Sequence, residues 1–173
     1  MRGPLRLLLS LHDGLTRVSF AAAVVALVVV TGSYLYEVVA RYFFRAPTTW
    51  SSDVVGYALC ASIFLGLPMI TSLRRLVAVT VVLEAVPTPT ASLLNRLIDL
   101  LGAVACAAAA WFSLNENLRQ YAGDIMTLAN DPIPKWLITG LITFGLLLSS
   151  LHFLRRLLRP DNLAPVQAPP GLD

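Results

Sequence analysis

The side chains best suited to chemistry in this sequence are two histidines and two cysteines, and their spacing matches no common active site. His12 and His152 lie near opposite ends of the chain, while Cys60 and Cys106 each lie within an apolar stretch. The sequence has no glycine-rich phosphate loop, no zinc-binding H-E-x-x-H and no C-x-x-C pair. It therefore predicts no catalytic, cofactor-binding or metal-binding residues, and no enzyme activity.

The histidines leave one other function class open. Both lie near the ends of apolar stretches that we predict below to cross a membrane, and on the same side of it. There they could ligate a haem from two helices, as in the membrane anchors of respiratory enzymes. Haem ligands more usually lie within the spans, so boundary histidines without a ligand are the favoured interpretation. A small transporter that works alone is a second alternative. It would need polar groups near the middle of the bilayer, and no acidic residue lies at the centre of any apolar stretch.

Four apolar stretches must position these residues. Hydrophobic residues make up 57% of the chain and charged residues only 13%, about half the charge of a soluble domain. A helix of about 20 residues crosses the ~30 Å hydrocarbon core. We therefore predict an all-α membrane protein with a membrane domain at 18–154. Its four transmembrane helices are predicted at about 18–40, 54–73, 90–114 and 136–154.

The third span is the weakest of the four, because it contains Arg96 and Asp99. These residues are three apart on one helical face, so we expect them to pair at the membrane edge. Segment 76–86 is apolar but too short to cross, and Pro87 follows it, so we predict a short interfacial helix there.

The basic residues set the predicted orientation. Nine of the thirteen lie on the side that holds both chain ends, so the positive-inside rule places the N and C termini in the cytoplasm. Residues 1–17 then form a cytoplasmic segment and 155–173 a disordered cytoplasmic tail. Because the arginines flank apolar stretches and form no stripe, nucleic acid is not an expected partner.

Two further patterns concern contacts. Small residues recur every fourth position at Gly102, Cys106 and Ala110, and again at Ala58, Ser62 and Gly66. Such stripes let helices approach closely, either within this chain or against a larger membrane partner. The second outer loop, 115–135, is polar and acidic, which suits either a solvated connection or a docking surface for a soluble protein.

The most specific pattern lies between residues 37 and 75. The segments EVVARYFF at 37–44, PTTWSSD at 47–53, FLG at 64–66 and RR at 74–75 closely resemble the small membrane subunit of tripartite ATP-independent periplasmic (TRAP) transporters, the DctQ-like family. Four spans, cytoplasmic termini and a Trp-led last span also match. The chain departs from the family at Asp53, where members usually have Glu, and at Leu76 and Thr80, where they have His and Asp.

The resemblance implies a bacterial inner-membrane protein that has a supporting role in transport. In such systems a periplasmic binding protein captures an organic acid, and the large membrane subunit carries the substrate and sodium sites. The small subunit would brace that large subunit, and it needs no cofactor of its own. The residues expected at the interface with the partner or with membrane lipid are Glu37, Arg41, Tyr42, Arg45, Trp50, Asp53, Arg74 and Arg75.

Overall fold

Long helices make up nearly all of the described chain. A computed structural model describes residues 3–46, 48–73, 88–129 and 132–158. Its helices are α1 (Gly3–Phe43), α2 (Ser51–Ser72), α3 (Thr88–Ala122) and α4 (Lys135–Leu157). Each is long and apolar enough to cross a membrane. The prediction of an all-helical protein with four membrane-length helices is confirmed.

Two of the helices are longer than a bilayer requires. At 1.5 Å per residue, the 41 residues of α1 and the 35 residues of α3 extend over roughly 60 Å and 50 Å, against ~30 Å of hydrocarbon. Both contain the spans predicted for them. Helix α1 also takes in most of segment 1–17, which the sequence did not predict as helical. The predicted interfacial segment 76–86 lies outside the described residues, as does 159–173, nearly all of the predicted tail.

The helices pack side by side in the order α1, α2, α4, α3. Helices α1 and α3 therefore form the two edges of the row, and each has one principal neighbour. Large apolar side chains remain exposed on both edges, including Val25 and Val28 on α1 and Trp111 and Phe112 on α3. Apolar surface of this extent needs lipid or another protein chain to cover it.

A close backbone approach joins α2 to α4. Pro68 lies inside α2 and has no N–H, so the carbonyl of Phe64, one turn earlier, lacks its usual helical donor. Gly145 of α4 lies against this carbonyl, where a Cβ atom would overlap the oxygen. Only a glycine allows the two backbones to approach this closely.

The neighbouring residues of the FLG segment join α2 to α1. Ser19 donates a hydrogen bond to the Leu65 carbonyl at 2.8 Å. Gly66 is buried opposite Ala23, whose Cβ lies 3.7 Å from the position that a Gly66 Cβ would occupy. Residues 64–66 therefore form the crossing point of three helices, where backbone atoms make the contacts.

Three of the six residues in the small-residue stripes pack closely within the chain. Gly102 of α3 leaves room for the ring of Phe153 of α4, and a Cβ there would lie 2.8 Å from that ring. Ala110, two turns further along, is only 1% exposed. These contacts account for Gly66, Gly102 and Ala110 without a second protein.

Candidate functional site

The C-terminal end of α1 contains the first candidate site, which centres on Glu37. One carboxylate oxygen lies 2.6 Å from an Arg41 guanidinium nitrogen. The other accepts hydrogen bonds from the backbone N–H and the hydroxyl of Thr48. These donors satisfy both oxygens of a largely buried carboxylate, which would be costly to bury without partners. Glu37 thus fastens the linker between α1 and α2 to the helix that precedes it.

Two further contacts hold the same linker against α1. The Trp50 ring packs on Tyr36 with 5.6 Å between centroids. The Ser51 hydroxyl, almost fully buried, reaches the Ser33 carbonyl at 3.5 Å. Asp53 follows in the first turn of α2, where the positive pole of the helix dipole favours an acidic residue.

The predicted interface residues therefore separate into two groups. Glu37 and Trp50 stabilise the linker. In contrast, Arg41 and Tyr42 point outward: the Arg41 side chain is 61% exposed, and the whole Tyr42 residue is 76% exposed. Phe43 and Phe44 are as exposed as Tyr42. Arg45 turns the chain with a left-handed φ of 51°. Arg74 and Arg75 lie outside the described residues.

The loop between α3 and α4, which the sequence predicts as the second outer loop, uses much of its polarity internally. After α3, the N–H of Ile125 donates to the Gln120 carbonyl and that of Asp124 to the Tyr121 carbonyl, with Asp124 at a φ of 44°. This is the Schellman arrangement that ends many helices. Further on, Thr127 pairs with Ile133, and its hydroxyl accepts a hydrogen bond from Tyr57 of α2 at 2.9 Å. The loop is thus a folded structure attached to α2.

Polar side chains join α3 to α4 below this loop. Asn117 donates to the Trp136 carbonyl at 2.6 Å, and Thr139 donates to the side-chain carbonyl of Gln120, a residue that is 2% exposed. Sequence reasoning missed Gln120, Tyr57 and Thr127. Their partners lie 19 to 70 residues away, and no local spacing signals such pairs.

At the other end of the row, two adjacent arginines of α4 connect it to both edge helices. Arg155 lies 2.5 Å from Asp13 of α1, and Arg156 lies 3.6 Å from Asp99 of α3. The prediction that Arg96 pairs with Asp99 is therefore wrong. Among the described residues, the ion pair of Asp99 is with Arg156. Asp99 faces the helix interface, whereas Arg96 is exposed. We call this group of charges the arginine fork, meaning Arg155, Arg156, Asp13 and Asp99.

The two histidines meet beside the arginine fork. The ring centroids of His12 and His152 lie 4.1 Å apart with a 50° tilt between the planes. Both residues are buried. Rings this close are in van der Waals contact, so a haem macrocycle has no room between them. Within the described residues, no group of three His, Cys, Asp or Glu side chains could hold a metal ion.

Charge is confined to the two ends of the row. No charged residue occurs between Arg17 and Glu37 in α1, between Asp99 and Glu116 in α3, or between Lys135 and Arg155 in α4. Asp53, in the first turn, is the one charged residue of α2. The central parts of the helices therefore present hydroxyl groups as their strongest polar side chains.

Comparison with protein families gives a match that covers most of the chain. Residues 27–162, well over half of the chain, match the family model described as "Tripartite ATP-independent periplasmic transporters, DctQ component". No curated protein matches the chain. The matched range includes the linker around Glu37, the crossing at residues 64–66, the second outer loop and the arginines of α4.

Proposed function

Because the chain belongs to the DctQ family, the small permease component of TRAP transporters, we propose that it braces the large membrane subunit and carries no substrate itself. In this proposal a periplasmic binding protein delivers an organic acid to the large subunit. That subunit would use a sodium gradient for uptake and would hold the sodium ions. The chain would need no cofactor and would lie in the bacterial inner membrane.

The observation that carries this proposal is how the polar groups midway along the helices are used. Ser113 and Thr143 bond to each other at 2.8 Å, and Ser19 and Ser149 bond to backbone carbonyls. A carrier must instead direct such groups at its cargo near the bilayer midplane. With its central hydroxyls engaged in this way and its charges at the ends, the chain is suited to support a neighbour.

The proposed orientation places the arginine fork at the cytoplasmic side. The positive-inside rule favours this placement, because most of the basic residues of α1 and α4 lie there. Asp99 and Arg156 would then mark the inner membrane boundary, with the start of α3 extending past it. Tyr42, Arg45 and Trp50 would lie at the outer boundary, where aromatic and arginine side chains contact headgroups.

Reconstitution into liposomes tests the proposal. We expect sodium-driven uptake of an organic acid only when the chain, the large subunit and the binding protein encoded near it are all present. Removal of this chain should abolish uptake and reduce the yield of the large subunit.

Uptake by this chain alone would overturn the proposal and favour the self-sufficient transporter. Haem absorbance in a complex purified from native membranes would overturn it in favour of the respiratory anchor. Full uptake without the chain would contradict the bracing role.

A further inference from the structure

The bracing proposal makes no use of the contact between His12 and His152, which suggests a separate property. Helix α1 packs mainly on α2, and α4 is not one of its principal neighbours. The two helices nevertheless meet here through ring contact, through Thr16 and through the pair of Asp13 with Arg155. This junction therefore connects the edge helix α1 through polar groups to α4, which lies beyond α2 in the row.

The hydrogen bonds favour an uncharged His12 in the joined state. The Thr16 hydroxyl donates to the His12 carbonyl at 2.9 Å, so it is free to accept a hydrogen bond from Nε2–H of His152, which lies 2.9 Å away. Nε2 of His12 is buried and has no hydrogen-bond partner. Orphaned buried N–H groups are rare, so this nitrogen is best left without a proton. A neutral His12 meets this condition, whereas Nε2–H of His152 can donate to Thr16 whether that ring is neutral or charged.

Protonation would oppose the contact. A histidine ring that takes up a second proton becomes positively charged, and two charged rings would place like charges in direct contact. The charged groups that face the pair are Asp13 from α1 and Arg155 and Arg156 from α4. Asp13 is already engaged by Arg155 at 2.5 Å, so it offers limited compensation for a second positive ring. The described end of α2, Thr71–Leu73, carries no charge.

We propose that His12 and His152 form a proton-operated clasp, which holds α1 against α4 when both rings are neutral and releases α1 when both are protonated. The cytoplasmic position of the clasp rests on the orientation proposed above, but the clasp itself does not. Acidification on that side would then loosen one edge of the row at its inner end while α1 remained packed on α2.

Distance measurement by electron spin resonance tests the clasp on the full chain in lipid nanodiscs. Spin labels are attached at Leu15→Cys and Leu151→Cys, two exposed positions beside the histidine pair, after Cys60→Ala and Cys106→Ala remove the native thiols. We expect the distance distribution to shift to longer values between pH 8 and pH 4. An outer pair on the same helices, Val39→Cys and Leu137→Cys, should give the same distance at both pH values.

The variant His12→Phe with His152→Phe keeps two aromatic rings but removes the titratable nitrogens. We expect the inner distance in this variant to stay at its pH 8 value throughout. A pH-dependent shift that persists in the variant overturns the clasp, as does an unchanged distance in the native pair at a pH where both rings are protonated.

Nuclear magnetic resonance of histidine-labelled native chain supplies a readout that does not depend on the variant. Rings that take up both protons without separation of the helices overturn the proposal, and separation that coincides with the second proton supports it. No partner subunit is needed, so failure here leaves the bracing function untouched.

Discussion

The Glu37 carboxylate contacts two neighbours, Arg41 and Thr48, and the two contacts contribute unequally to stability. Its carboxylate is only 13% exposed, while the paired Arg41 side chain is 61% exposed. Exposed ion pairs contribute about 0–1 kcal/mol because water screens the charges. The bonds from Thr48 to the same carboxylate are better shielded, so they account for most of the contribution of Glu37. The conspicuous ion pair is thus the weaker of its two roles.

Replacement of Glu37 by alanine should therefore cost more stability than replacement of Arg41. We expect Glu37→Ala to lower the free energy of unfolding by about 1–3 kcal/mol, as is typical of lost hydrogen bonds to a charged group, and Arg41→Ala by under about 1 kcal/mol. Thermal unfolding in detergent provides the measurement. Equal losses for the two variants would mean that the ion pair dominates.

The same variants address the proposed partner interface. If Arg41 contacts the large subunit, Arg41→Ala should reduce co-purification of that subunit even though it leaves the chain itself stable. Unchanged recovery of the complex would assign Arg41 to lipid headgroups or solvent instead.

At the scale of the helices, the crossing of α2 and α4 depends on a proline and a glycine that are far apart in the sequence. Pro68 withholds a donor from the Phe64 carbonyl, and Gly145 lets a neighbouring helix cover that carbonyl closely. Cα–H groups at such contacts are weak donors. Each residue alone would look like a defect in its helix, but together they define a packing contact.

Gly145→Ala should disrupt this crossing, because its methyl group would overlap the Phe64 carbonyl oxygen. Overpacking of this kind costs about 1–3 kcal/mol, and we expect a lower unfolding temperature. Gly56→Ala is the matched control, since a Cβ at Gly56 of α2 meets nothing within 4 Å. That change should be neutral or stabilising by up to about 1 kcal/mol. Similar losses at both positions would contradict the close approach.

At the scale of the whole molecule, the arginine fork links α4 to both edge helices of a single row. Edge helices α1 and α3 each have a single principal neighbour, and they are separated from each other by α2 and α4. Adjacent arginines at the end of α4 connect to Asp13 on one edge and Asp99 on the other. The exposed apolar faces remain available to lipid and to a larger subunit.

Loss of one arm of the fork should weaken the attachment of α3. The side chains of Arg156 and Asp99 are only 15% and 14% exposed, so Arg156→Leu leaves Asp99 with a poorly solvated charge. We expect a loss of about 1–3 kcal/mol in unfolding free energy, with much of it restored by adding Asp99→Asn. Exposed Arg96→Leu should change stability by under about 0.5 kcal/mol. A larger loss of unfolding free energy for Arg96→Leu would support the pair of Arg96 with Asp99 that the sequence predicted.

The sequence by itself determined the features that depend on local composition. Apolar runs of about 20 residues identify four membrane helices, because lipid cannot satisfy an unpaired backbone. The EVVARYFF and PTTWSSD segments were sufficient to indicate the family that the comparison then showed. Confinement of charge to the helix ends could likewise be read directly from residue order.

Only the tertiary structure decided which distant residues meet. It paired Asp99 with Arg156 instead of Arg96, brought His12 against His152, and set Gly145 on the carbonyl that Pro68 leaves open. Spacing along a helix shows which residues share a face, but it does not show which helix covers that face. The order α1, α2, α4, α3 supplies that information, because pairing between helices depends on how their surfaces fit together.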